Sequence, residues 1–117
     1  MTPDLIALAR AIVALPGWTW EAGVVALGSG RVVAMFSDGS AFIGGRKIPP
    51  EEMAIYHPDL LDAATGGVLL DRLGPDYGVE RYSADQWCVF SAELDGDAQG
   101  PSLASACARA MVARGRA

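Results

Sequence analysis

The sequence predicts an α+β domain: a mainly antiparallel sheet of about five strands with three helices packed on it, in the order α-β-β-β-α-β-β-α. Three observations carry this. PDLLDAATGGVLLDRLG, at 58–74, is a capped amphipathic helix. Short apolar runs on either side of it are separated by Gly-bearing turns, and the chain closes on an alanine-rich helix. Hairpins of antiparallel strands with helices laid over them form a layered α+β domain, here one domain over residues 1–117.

The elements follow in order. Thr2 supplies an N-cap hydroxyl and Pro3 a first helical residue whose missing N–H costs nothing. Leu5, Leu8, Ile12 and Leu15 recur at helical spacing until Pro16-Gly17 ends the helix. Three strands are expected at 23–27, 31–37 and 40–43. Gly28-Ser29-Gly30 separates the first two and Asp38-Gly39 the last two, since tight turns require positive φ. The run VVAMF is apolar on both faces, which predicts a sheet covered on both sides. A long connection then runs from Gly44 through Glu51, Glu52 and Tyr56 to His57, with a single helical turn expected at 53–56.

Asp62 caps the second helix, whose stripe is Leu61, Thr65, Leu69 and Leu73; Gly66 beside it predicts a close approach to the sheet. Gly74-Pro75 stops the helix, and 79–82 with 87–92 form a second hairpin. Residues 93–101 read as an acidic, Gly-rich loop. Ser102 caps the last helix, with Leu103, Ala106, Cys107, Ala110 and Met111 inward.

In layout, the first helix followed by GWTW and short strands, then PDLLDAATGGVLLDRLG, a Trp-bearing strand and SLASACARAMVA, resembles small uncharacterised phage proteins similar to phage ABA-sandwich domain proteins. The resemblance implies a phage or prophage origin and a sandwiched sheet, and it carries over no catalytic residue. An eight-to-one excess of Arg over Lys fits a GC-rich bacterial genome or a virus of such a host.

With 51% hydrophobic and 20% charged residues the chain reads as globular. Its net charge of -5 disfavours direct binding to nucleic acid, whose affinity comes from Lys and Arg on phosphates. The same charge suits a partner protein with a basic surface. Asp4 stands where a signal peptide carries positive charge, and no apolar run reaches about 18 residues, so no membrane partner and a cytoplasmic location in a bacterial host are expected.

No catalytic, cofactor or metal constellation is expected. His57 is the sole histidine, with no GxSxG around any serine, and Cys88 and Cys107 lack a CxxC or HxxxH partner pattern; both thiols read as core packing. From Glu93, an EF-hand loop would need Gly at its sixth position and an acid at its twelfth, where Ala98 and Ala104 stand. Gly28-Ser29-Gly30 lacks the third glycine of a dinucleotide fingerprint, whereas Gly44-Gly45-Arg46-Lys47 could cradle an anion.

The binding candidates are Glu51, Glu52, Glu93, Asp95 and Asp97, grouped in two loops, with Trp18, Trp20 and Tyr56 as apolar anchors. At period two in a strand, Trp18 and Trp20 point the same way, into the core or toward a partner. The function expected is inhibition of a host defence system, in the manner of anti-CRISPR proteins. The alternatives are an immunity protein blocking a cognate toxin, a phage accessory or structural protein, and a small enzyme using the loop from Gly44 to His57.

Overall fold

The structure, a computed structural model, describes residues 1–117 and is α+β, with four helices and two antiparallel sheets. The order is α1 (Pro3–Val13), β1 (Val25–Ala26), β2 (Gly30–Met35), β3 (Ala41–Ile43), β4 (Arg46–Ile48), α2 (Pro50–Met53), α3 (Ala63–Leu73), β5 (Gly78–Ser83), β6 (Gln86–Phe90), β7 (Ala98–Gly100) and α4 (Leu103–Arg114). The strands form sheets β1-β2-β3-β4 and β5-β6-β7, where one sheet of about five strands was expected. Both additional strands fall in expected loops. β4 pairs with β3 because Gly44 and Gly45, at φ +59° and +77°, make the two-residue turn that a twisted hairpin requires. β7 extends the second sheet by placing Gln99 opposite Cys88. The single turn of α2 begins at Pro50 and ends at Met53, earlier than the expected 53–56.

Three helices start where their caps predict. The side chains of Thr2, Asp62 and Ser102 accept from the amides of Leu5, Thr65 and Ser105, each worth about 1 kcal/mol. α4 is the centre of the molecule. It packs against α1 and α3 as well as β6 and β7, so Ala104, Ser105, Ala106, Cys107 and Ala108 are consecutively buried. The expected inner face is correct, but helices cover the opposite face too. Small side chains permit this crowding, and Gly66 is the clearest case. A Cβ there would sit 3.0 Å from the Ala104 amide nitrogen, so its close neighbour is α4 and not the sheet. Leu61 lies ahead of α3 and is 52% exposed, off the stripe that Thr65, Gly66, Leu69 and Leu73 bury.

The apolar interior has two parts. The larger gathers Ala9, Ile12, Leu69, Leu73, Val89, Cys107 and Met111 between α1, α3, α4 and the second sheet. The smaller gathers Ala26, Val32, Ala41, Ile43, Ile48 and Met53 between the first sheet and α2. The first sheet is covered on this side only. Val33 is 63% and Phe36 42% exposed, contrary to the expectation from VVAMF, because the smaller core, with Met53 of α2, lies on the side of Val32 and nothing packs over Val33.

The two parts are joined by polar contacts. Thr65 Oγ1 accepts from the Val25 amide at 3.0 Å, and the Arg31 guanidinium donates to both Asp62 oxygens at 3.1 Å. Leu27 and Asp59 amides donate to the carbonyls of His57 and Val25, flanking a bridge between Ala26 and Pro58. No helix is long and apolar enough to cross a membrane.

Candidate functional site

The β6–β7 connection carries the acidic group Glu93, Asp95 and Asp97. It borders a concavity of 480 Å³ whose other wall is Arg109 and Ala113 on α4. Glu93 is held from within: the Tyr77 hydroxyl donates to its Oε2 at 2.6 Å, and Arg116 pairs with it at 3.3 Å. The Tyr77 hydrogen bond, with help from Arg116, holds the Glu93 carboxyl below the usual carboxylate range, while burial and then Glu93 push the Tyr77 phenol up. Asp95 and Asp97 differ from Glu93. All three are exposed, but neither Asp95 nor Asp97 is in an ion pair.

Glu51 and Glu52 lie on α2, whose Met53 belongs to the smaller core, so the two acidic groups sit on different parts of the molecule. Glu51 is exposed. Glu52 is half-buried, paired with Arg46 at 3.1 Å and accepting from the Tyr56 hydroxyl at 3.2 Å. Tyr56 itself packs against the smaller core. Of the cations in the Gly44-Gly45-Arg46-Lys47 run, Arg46 faces Glu52, and Lys47 faces Asp38 and the Phe36 ring, so the run closes a hairpin and both charges are engaged.

Trp18 and Trp20 are in no strand and do not point the same way. Their rings meet edge to face, with centroids 5.5 Å apart at 80°. Trp18 packs on the larger core and Trp20 on the smaller. The Arg72 guanidinium lies 4.9 Å over the Trp18 ring, donates to the Gly17 carbonyl at 2.9 Å and pairs with Glu21 at 3.1 Å. The pair therefore braces the junction between the cores. Trp18 Nε1 is buried without a partner.

His57 lies beside a cleft of 270 Å³ lined by Arg10, Val13, Ala14, Ala54, Ile55 and Tyr56. Burial, and secondarily Arg10, pulls its pKa down, which favours the neutral ring; Nε2 is enclosed without a hydrogen-bond partner. Cys88 and Cys107 are fully buried and free, and burial pushes both thiols up, Cys107 to about 12. A thiol so shifted is almost wholly protonated at neutral pH and a poor nucleophile. No three His, Cys, Asp or Glu side chains are grouped to hold a metal ion. Comparison with protein-family models, with curated proteins and with solved structures finds no match for this chain.

Proposed function

We propose that the protein works by binding a macromolecular partner with a basic surface, as a phage-encoded inhibitor of a host defence system in the manner of anti-CRISPR proteins. The observation that carries the reading is the pair Asp95 and Asp97, exposed and free of ion pairs at the edge of the 480 Å³ concavity. Five of the fourteen carboxylates, Asp38, Asp62, Glu21, Glu52 and, in the same loop, Glu93, already meet a cation of this chain. Asp95 and Asp97 form no ion pair, and both line the concavity whose other wall is Arg109. Two like charges this close in sequence repel, and a cationic surface brought against them relieves that repulsion and steers encounter. The nucleic-acid channel of a defence effector offers such a surface. The phage origin rests on the layout of helix, GWTW, strands and closing helix described above.

The experiment is a titration of a purified CRISPR effector complex with the protein at low and high salt, repeated with Asp95→Lys and Asp97→Lys. Screening shortens the reach of exposed charges to about 8 Å at physiological ionic strength. Affinity should fall with salt and fall at least tenfold on reversal of either charge. Binding indifferent to both salt and reversal overturns the electrostatic reading.

A further inference from the structure

The seam between the two cores opens on the surface as the 270 Å³ cleft beside His57. Its walls are fixed from opposite sides. Arg10, Val13 and Ala14, at i, i+3 and i+4, share one face of the first helix, whose Ala9 and Ile12 are anchored in the larger core. The facing wall is the stretch 54–57 that follows α2. Tyr56 rests on the smaller core and its hydroxyl donates to Glu52, while the His57 carbonyl accepts from the Leu27 amide at 2.9 Å. Small-molecule sites concentrate at junctions between packed units, in concavities that are largely pre-formed.

Charge and apolarity set this cleft apart. Three larger hollows of the surface each carry a carboxylate: Asp95 and Asp97 in one, Asp71 in another, Asp62 in the third. No carboxylate lines the His57 cleft, in a chain with fourteen acidic residues. Its one full charge is the Arg10 guanidinium, exposed and outside every ion pair of the molecule. The His57 ring is held neutral by burial first and by Arg10 second. Ile55, on the same cleft, is 73% exposed, the most exposed large apolar side chain of the protein.

We propose that this cleft binds a small amphipathic carboxylic acid, with its carboxylate on the Arg10 guanidinium and its hydrocarbon body between Val13 and Ile55. A guanidinium takes a carboxylate through two parallel N–H donors. A cation would be repelled there, and an uncharged hydrocarbon forgoes the pair. A dry cavity of about 150 Å³ accommodates benzene, so this cleft has room for a phenyl ring or a chain of about eight carbons. The site is separate from the acidic loop and does not rest on the function proposed above.

The probe is 3-phenylpropionate, with 3-phenylpropanamide as its uncharged twin, titrated into the intact protein and followed by the methyl NMR signals of Val13, Ala14, Ala54 and Ile55. The acid should saturate with a Kd of about 1 mM or tighter, the scale for a ligand of about eleven heavy atoms. The amide should bind about fivefold more weakly, and Arg10→Gln should weaken the acid by that factor while leaving the amide unchanged. The melting temperature should hold, since Arg10 is exposed. His57 is the sole histidine, so its imidazole signals report one group. A carboxylate on Arg10 cancels the charge that disfavours the ring's second proton, so the imidazole midpoint should move to higher pH with the acid bound and should not rise with the amide. Three results overturn the proposal: no saturable shift of these methyls, an amide that binds as tightly as the acid, or a His57 midpoint that stays or falls when the acid saturates.

Discussion

Replacing Thr65 by Val tests how the two cores are joined. The substitution keeps the shape and β-branching of a fully buried side chain and removes only its hydroxyl. In the native protein that oxygen accepts from the Val25 amide at 3.0 Å and lies 3.0 Å from Asp62 Oδ2, to which it donates. Asp62 loses little, because it retains the Arg31 guanidinium and the Thr65 amide at 2.9 Å. The Val25 amide loses its acceptor, and leaving a donor unsatisfied away from water costs about 1–3 kcal/mol. The expected loss is about 2 kcal/mol, which for a domain of this size is a fall of about 8 °C in melting temperature. Equilibrium urea unfolding measures the energy, and amide hydrogen exchange locates it. Exchange at Val25 should accelerate more than at Leu69 in the larger core. A stability within 0.5 kcal/mol of the parent, with Val25 protection unchanged, would refute the claim that Thr65 ties β1 to α3.

Leu69→Ala should cost about 2–5 kcal/mol by urea unfolding, because Leu69 is fully buried in the larger core; a loss under about 0.5 kcal/mol would contradict that packing. Cys88 and Cys107 should both react slowly with a disulfide reagent in the folded protein and quickly in denaturant, and rapid native labelling of either would contradict their burial and raised pKa. His57 should make stability depend on acid pH. Its folded pKa lies below the ordinary 6.5, so the unfolded chain takes the proton first. The contribution is complete above pH 6.5 and is lost as pH falls through the folded pKa. A His57→Gln variant should show a flatter profile in that window, and identical profiles would remove His57 as the cause.

The helices were the most legible part of the sequence. Thr2, Asp62 and Ser102 are side-chain caps placed before periodic or small-residue runs, and local hydrogen bonding is enough to fix each start. β4 was obscured because RKI reads as polar, although the Gly44-Gly45 pair between AFI and RKI is a hairpin signal in its own right. β7 was not legible. AQG has no strand character, and its pairing with β6 comes from tertiary context. The division into two cores was also hidden, because hydrophobic spacing gives the buried face of an element and not which neighbour buries it. Trp18 and Trp20 show this most clearly, since period-two spacing carries directional meaning only inside a strand. The acidic grouping was visible, but the internal partners of Glu93, namely Tyr77 and Arg116, lie 16 and 23 residues away.

The most direct measurement of the proposed function is the plating efficiency of a phage targeted by a CRISPR system, in cells expressing this protein. Expression of the native chain should restore plaques, and Asp95→Lys with Asp97→Lys at matched protein level should lose that restoration while the melting temperature holds. Plaque counts that stay at the immune level with the native protein, across hosts carrying different CRISPR types, would contradict the account.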